Sequence, residues 1–296
     1  MKILVTGANG LLGQKLCLLL DKDVRVELIA TARGKLNYSL SDKFIALDVT
    51  QPEAVASIIA TTHPDVVIHT AAMTQVDQCE TEREACWLNN VTAVGHIINA
   101  CEKTGSHLIH ISTDFIFDGT HGPVDETEKP NPLSYYGKSK LEGEVLVQKS
   151  KIKWAILRTV LVYGVTKDMS RSNIVLWVKK SLEEGKTINV VSDQWRTPTL
   201  AEDLAMGCVL AAKKKATGIF NISGSEMLTP YDIAIRTADF FNLDKGLIKE
   251  TDSSKFTQPA KRPPKTGFII DKAKRELGYE PRTFEEGLAI IKEQIG

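Results

Sequence analysis

A chain of 296 residues with this pattern predicts an α/β fold: a doubly wound parallel sheet with a smaller C-terminal α/β lobe. Three observations carry that expectation. Short apolar, β-branched runs alternate with helix-forming segments as far as Thr159. A glycine-rich turn, Gly7-Ala-Asn-Gly10-Leu-Leu-Gly13, sits directly between the first such run and the first helix. Beyond it all, the elements shorten and are separated by proline-containing polar loops, as in a second, smaller body.

In order, Lys2 to Thr6 reads as a strand and Leu11 to Leu20 as a helix. In the GxxGxxG turn, Gly7 permits the tight turn and Gly10 lets backbone approach a pyrophosphate. Gly13 lets helix and strand pack closely. The phosphates would then meet the N–H groups around Leu11 and Leu12 at the positive end of the helix. The turn is thus a candidate dinucleotide site, and the sheet one of Rossmann type. Arg25 to Thr31 is the second strand. A site for NAD usually carries an acidic residue roughly 20 residues past the glycines, yet no Asp or Glu lies between Leu28 and Ser41. Arg33, with Thr31 or Lys35, could meet a 2′-phosphate, which favours NADPH and leaves NADH open. The plainer reading of Arg33 is a solvated loop charge.

Lys43 to Leu47 is the third strand, with Asp48 and Val49 at its end to flank an adenine. Thr50 to Glu53 opens a helix, with proline in its first turn. Asp65 to His69 is a buried fourth strand. Ala71 and Ala72, with Thr74 beyond, suit a backbone lying against a cofactor. Glu82 to Thr104 reads as one long helix, with Cys86, Val94, Ile97, Ile98 and Cys101 in the core and Asn90 a structural hydrogen-bonding residue. The segment Leu108 to Glu144 holds the densest chemistry. A strand ends at Ser112-Thr113, a loop rich in Gly, Pro and acidic residues follows, and a helix then carries Tyr136 and Lys140. Four residues apart, these two point from one helix face. Tyr135 is the rival phenol, but its i+4 residue is Ser139.

Trp154 to Thr159 is the sixth strand. Ser172 to Glu184 and Leu200 to Lys213 read as helices, Ile188 to Val191 and Gly218 to Ser223 as strands. A helix covers Tyr231 to Phe241, and a last one starts at Phe284, with Thr283 and Glu286 as its capping box. The division expected is a dinucleotide-binding domain of residues 1–164 plus about 193–223, and a substrate lobe of about 165–192 and 224–296. Asp125 and Glu126 read as loop structure rather than as an acid–base pair.

Thirty-seven basic residues balance thirty-seven acidic ones, so neither nucleic acid nor an anionic membrane is an expected partner. No apolar run reaches a membrane span, and the N-terminal stretch, studded with glycine and soon followed by charges, does not read as a signal peptide. Five cysteines without a CxxC read as reduced thiols of a cytoplasmic protein. His107 and His110 fall on opposite strand faces, and no metal site is expected. A homodimer is left open.

Taken together, TGANGLLG at 6–13, AAMTQVDQCE at 71–80, STDFIFDG at 112–119 and PNPLSYYGKSKLEGE at 130–144 resemble the extended short-chain dehydrogenase/reductase superfamily. LRTVLVYG at 157–164, DQWRTPT at 193–199 and the RPP around Arg262 bring the dTDP-4-dehydrorhamnose reductase family nearest. The resemblance covers nearly the whole chain. It implies a catalytic Thr113, Tyr136 and Lys140, and substrate contacts at Asp114, Asn173, Arg196 and Arg262. The chain departs from the family pattern at Ala32, Phe115, Leu161, Arg196 and the PKTGFII after Arg262-Pro263.

The expected chemistry is hydride transfer from NADPH to the keto carbon of a nucleotide-linked 4-keto deoxysugar, most specifically dTDP-4-dehydrorhamnose. Tyr136 would give the proton, Thr113 would hold the carbonyl oxygen, and Lys140 would lower the phenol pKa. Two other functions stay in play. One is a nucleotide-sugar epimerase or dehydratase that keeps NAD bound. The other is a non-catalytic NADP-binding regulatory subunit similar to that of methionine adenosyltransferase.

Overall fold

The computed structural model describes residues 1–36, 38–40, 43–167 and 173–296. From the N-terminus the order is β1 (Lys2–Thr6), α1 (Leu11–Asp21), β2 (Glu27–Ala32), β3 (Phe44–Ala46), α2 (Pro52–Thr62) and β4 (Val66–His69). Next come α3 (Val76–Thr81), α4 (Arg83–Trp87), a π-turn (Leu88–Thr92), α5 (Ala93–Thr104), β5 (His107–Thr113) and α6 (Tyr135–Lys149). The rest holds β6 (Trp154–Thr159), β7 (Val162–Tyr163), α7 (Ile174–Glu183), β8 (Ile188–Val191), β9 (Thr199–Leu200) and α8 (Ala201–Lys213). It ends with β10 (Gly218–Asn221), α9 (Pro230–Phe241), β11 (Ile248–Thr251) and α10 (Phe284–Ile295).

The seven-stranded sheet runs β10-β6-β5-β4-β1-β2-β3, and each neighbouring pair is parallel. The order reverses between β1 and β4, which opens a crevice at the carboxyl ends of those strands. Alternation of side chains divides the core. Along β1, Ile3 and Val5 pack with Leu16 and Leu20 of α1 and Leu204 of α8, whereas Leu4 packs with Ile59 of α2 and Ile97 of α5. Both faces of the sheet are therefore covered, which is why its strands read as continuous apolar runs.

A second core lies outside the sheet. β8 pairs with β11, and Val178, Leu182, Ile188, Val190, Ala234, Ala238 and Ile248 pack between this pair, α7 and α9. α10 joins through Phe284, Leu288 and Ile291, which pack with Tyr163, Val175 and Ile233. Thr283 and Glu286 form the capping box expected for α10.

The structure differs from the expectations in four places. The helix expected over Glu82 to Thr104 runs from Arg83 but widens into a π-turn at Leu88–Thr92, and an unforecast short helix, α3, precedes it, set off by the non-helical Glu82 (φ −113°, ψ 58°). The π-turn frees the Asn90 side chain to bind the backbone of Met73 from both ends, accepting from its N–H at 2.9 Å and donating to its carbonyl at 3.0 Å. The start expected for the next helix, Ser172, lies outside the described residues; the helix itself begins at Ile174, and Asn173 caps it. Phe268, Ile270, Ala273, Leu277 and Tyr279, expected in the second lobe, pack instead in the core of the large sheet. Finally, β11 had no forecast, because its sequence Ile-Lys-Glu-Thr buries only Ile248 fully.

Behind the site, Glu144 of α6 and Arg158 of β6 form a fully buried bidentate ion pair, with distances of 3.0 and 2.7 Å. Removing one partner leaves the other charge buried alone. Glu144→Ala is therefore expected to lower the unfolding free energy in urea by about 3–5 kcal/mol. The double variant Glu144→Met/Arg158→Met should recover most of that loss.

Candidate functional site

The glycine turn has the shape its sequence implies. Gly7 has φ +73°, and a Cβ there would lie 2.8 Å from the backbone nitrogen of Ala71. A Cβ on Gly13 would lie 2.1 Å from the Gly7 carbonyl oxygen, so only glycine lets α1 start this close to β1. Gly10 precedes Leu11 at the N-terminus of α1, where no side chain makes a capping hydrogen bond and no acidic residue occupies the first turn. α6, α7, α9 and α10 are capped by side chains, but α2, α3, α4 and α8 are not, so what sets α1 apart is its glycine cradle. The positive end of α1, at the open edge of the sheet beside β1 and β4, is thus left for a ligand anion, and the cradle fits a dinucleotide pyrophosphate.

Around it lie the other candidate cofactor residues. Arg33 is exposed at the end of β2. Asp48 is half-buried, and its Oδ1 accepts from the Thr50 N–H and hydroxyl at 2.9 and 2.8 Å, so it shapes the turn into α2. Val49 is buried. Thr74 is exposed just past Ala71 and Ala72, which are partly covered.

The three candidate catalytic residues converge at the end of β5. Thr113 is the last residue of that strand, and Tyr136 and Lys140 rise from the first turns of α6, whose start is capped by Ser134 accepting from Gly137 N–H at 3.1 Å. All three are buried. α6 presses tightly on this edge: a Cβ on Gly137 would be 2.2 Å from the Phe115 carbonyl oxygen, and one on Gly143 2.8 Å from that of Asn90. The Lys140 ammonium donates to the Ile111 carbonyl at 2.7 Å. Tyr135, the rival phenol, points elsewhere, with Trp87 beside its ring and the Arg83 guanidinium over it.

Burial moves the two titrating groups in opposite directions. It pushes the Lys140 ammonium down to about 8, against the charge of Glu144. It pushes the Tyr136 phenol well above its usual range, and the neighbouring Thr113 hydroxyl only partly offsets that. The expectation set Lys140 beside an oxidised nicotinamide to lower the phenol pKa; in the free protein, loss of solvation dominates, and Tyr136 holds its proton. Phe115 packs edge-on against the Tyr136 ring, with centroids 5.7 Å apart.

Asp114 and Arg196 are placed differently from the substrate contacts that the resemblance implies. Both are buried. Asp114 accepts the hydroxyl protons of Thr113, at 3.1 Å, and of Thr266. Burial raises its carboxyl pKa, opposed by Arg196, whose Nε lies 3.7 Å away. The Arg196 guanidinium donates to the carbonyls of Trp195, Pro263 and Pro264 at 2.7, 2.7 and 3.3 Å. It therefore fastens the loop around Arg262 to the end of β5 instead of facing a ligand. Neither sequence position alone could reveal this, since the carbonyl acceptors lie 67 and 68 residues away.

Asn173 and Arg262 line a cleft of about 410 Å³, together with Trp177 of α7, Asn189 of β8, Phe256 and Gln258. Asn173 also caps α7 and donates to the Gly164 carbonyl at 2.6 Å. Thr113, Tyr136 and Lys140 do not line this cleft; Arg262 links the two regions. Its guanidinium forms a bidentate pair with Asp77 of α3, at 3.1 and 2.7 Å, two residues before Cys79, which packs against Tyr136. The loop acids behave as expected: Asp125 holds Thr127, and Glu126 accepts from the Asn221 N–H at 2.8 Å.

A glycine cradle at the switch point of a parallel sheet, with a buried threonine, tyrosine and lysine beside it, defines an extended short-chain dehydrogenase/reductase. More particularly, the chain belongs to the RmlD substrate binding domain family, whose model matches residues 1–295. It is 31% identical over 294 residues to a probable low-salt glycan biosynthesis reductase of Haloferax volcanii, covering 99% of this chain and 97% of the relative. It is 33% identical over 258 residues to the methionine adenosyltransferase 2 subunit beta of Mus musculus, covering 85% and 76%. Among solved structures, the dTDP-4-dehydrorhamnose reductase of Bacillus anthracis str. Ames in complex with NADP superimposes with a TM-score of 0.87 at 27% identity, over 99% of each chain.

Lys140 gives the site a signature in stability. The native state releases its proton near pH 8 and the unfolded chain near 10.5. Between those values the unfolded chain holds more protons, so stability rises with pH there. The stability difference between wild type and Lys140→Met, followed by urea unfolding from pH 8 to 10, is expected to shift in favour of wild type by roughly 1.4 kcal/mol per pH unit at most. A flat difference would contradict a buried, depressed Lys140.

Proposed function

We propose that the protein is an NADPH-dependent oxidoreductase that reduces the keto group of a nucleotide-linked 4-keto deoxysugar, with dTDP-4-dehydrorhamnose the foremost candidate. The observation that carries this reading is the buried Thr113, Tyr136 and Lys140 cluster beside an uncapped, glycine-cradled helix N-terminus. The solved relative with bound NADP and the reductase relative support the same chemistry.

Residues 1–164 and about 193–223, with the strand-packing segment near 268–279, would hold the dinucleotide. Gly7, Gly10 and Gly13 leave room for its pyrophosphate, and the N–H groups of Leu11 and Leu12 bind it. Arg33 meets the 2′-phosphate, Asp48 and Val49 border the adenine, and Ala71, Ala72 and Thr74 lie along the chain toward the nicotinamide. When bound, NADPH supplies the hydride. The nucleotide half of the substrate fits the cleft at Asn173, Trp177 and Arg262, whose aromatic and amide lining suits a base and whose cation suits a phosphate.

As the carbonyl carbon accepts hydride, negative charge grows on its oxygen. Tyr136 enters this step protonated, because burial holds its proton in place, and it transfers that proton to the oxygen. Thr113 turns its hydroxyl from Asp114 to the same oxygen. Lys140, anchored on the Ile111 carbonyl, offers its remaining N–H donors to the nicotinamide ribose and its charge to the phenolate that Tyr136 becomes.

The likeness to methionine adenosyltransferase 2 subunit beta supports a second reading, a non-catalytic NADP-binding subunit. One experiment separates the two. Protein mixed with NADPH and freshly generated dTDP-4-keto-6-deoxy-L-mannose is followed by absorbance of the reduced nicotinamide. Oxidation is expected, and Tyr136→Phe should slow it by roughly 10²–10⁴-fold. Folded, NADPH-binding protein that oxidises nothing would favour the second reading, and full activity in Tyr136→Phe would refute the mechanism.

A further inference from the structure

Three of the five cysteines sit among apolar side chains, and burial pushes Cys17, Cys101 and Cys208 each up to about 12. Such thiols are inert. The other two are fully buried as well, but differ in their neighbours. Cys79, in α3, and Cys86, in α4, form a small cluster with Tyr136, bordered by Met73, Val76, Phe115 and Tyr135. In an unbroken helix, residues seven apart would be separated by about 10.5 Å along the axis. The departure from helical geometry at Glu82 turns the chain so that Cys86 packs in the same small cluster as Cys79, whose thiol donates to the Met73 carbonyl at 3.7 Å.

Around the Cys86 sulfur the surroundings are polar. Asn90 donates its amide to it at 3.4 Å, and the Ser139 hydroxyl lies 3.3 Å away. The Cys79 thiol, these two groups and the Lys140 charge bring Cys86 down to about 7, against burial. These polar contacts favour the thiolate of Cys86, beside a second thiol that can resolve it. The mechanism proposed above uses neither sulfur.

We propose that Cys79 and Cys86 are a reversible oxidation site beneath Tyr136, which a small peroxide converts to an intramolecular disulfide. The Cys86 thiolate attacks the peroxide O–O bond and becomes a sulfenic acid, releasing hydroxide, which takes up a proton as water. The Cys79 thiol then attacks that sulfur, the S–S bond forms and a second water leaves. Two thiols and one hydrogen peroxide give one disulfide and two waters, and a dithiol reductant reverses the change. Oxidation also reaches the reaction centre. Asn90 holds Met73 and Ser139 as well as Cys86, and Ser139 donates to the Tyr136 carbonyl at 2.8 Å. Drawing Cys86 toward Cys79 disturbs the support of Tyr136.

The test maps the covalent bond and so stands apart from the function proposed above. Full-length protein is treated with hydrogen peroxide, unfolded in an alkylating agent and digested with trypsin without reduction. Cys79 lies in peptide 44–83, and Cys86 lies with Cys101 in peptide 84–103. The expected product is those two peptides joined, lighter by two hydrogens, with Cys17, Cys101 and Cys208 alkylated. Dithiothreitol should separate them, and Cys79→Ser should stop at a Cys86 sulfenic acid trapped by dimedone. Free, alkylated Cys79 and Cys86 after peroxide treatment, or oxidation spread evenly over all five cysteines, would overturn the proposal.

Discussion

The arrangement depends on how closely α6 can lie against the end of β5. Gly137 makes that contact, since a side chain there would run into the backbone of Phe115 just past the strand, and Gly143 lets the same helix close on the π-turn at Asn90. The contact is then locked by an ammonium buried against a strand carbonyl, Lys140 on Ile111. With helix and strand held together, Tyr136 and Thr113 share one small, water-poor space, and the phenol needs no further device to find its partner. The buried Glu144–Arg158 pair secures the same helix one turn further on.

Desolvation then sets the chemistry. The same burial keeps the phenol protonated and makes the lysine easier to discharge, so the site in its free state is loaded as a proton donor. A second buried charge pair, Asp114 with Arg196, does mechanical service. Through the carbonyls of Pro263 and Pro264, it ties the loop bearing Arg262 to the strand that ends in Thr113. The end of β5 and the cleft at Arg262 are thereby joined by hydrogen bonds.

Much of this was legible in the sequence, for local reasons. Strands buried on both faces show as apolar runs, and helix starts show as the first-turn Pro52 of α2 and the Thr283 cap of α10. The glycine turn announces itself because only glycine fits there. The i+4 rule picked Tyr136 over Tyr135 correctly as the phenol that shares the buried site with Lys140 and Thr113. What was hidden depends on distant partners. The π-turn exists for Asn90 to reach Met73, 17 residues back, and no periodicity signals it. Arg196 resembled a ligand-binding cation until its acceptors were known. Residues 268–279 rejoin the large sheet through a few apolar side chains scattered among charges, too sparse a pattern to assign. That Cys79 lies in one cluster with Cys86 was hidden too, because α3 and the turn at Glu82 that set their approach had no forecast.

The central claim, that hydride passes at this site to a sugar carbonyl, is tested most directly by following the hydrogen itself. The protein is supplied with NADPH bearing deuterium at both C4 positions and with dTDP-4-keto-6-deoxy-L-mannose, and the sugar product is examined by mass spectrometry and NMR. The account predicts one deuterium per product, bonded to C4 of the sugar. Product formed without deuterium at C4 would contradict it.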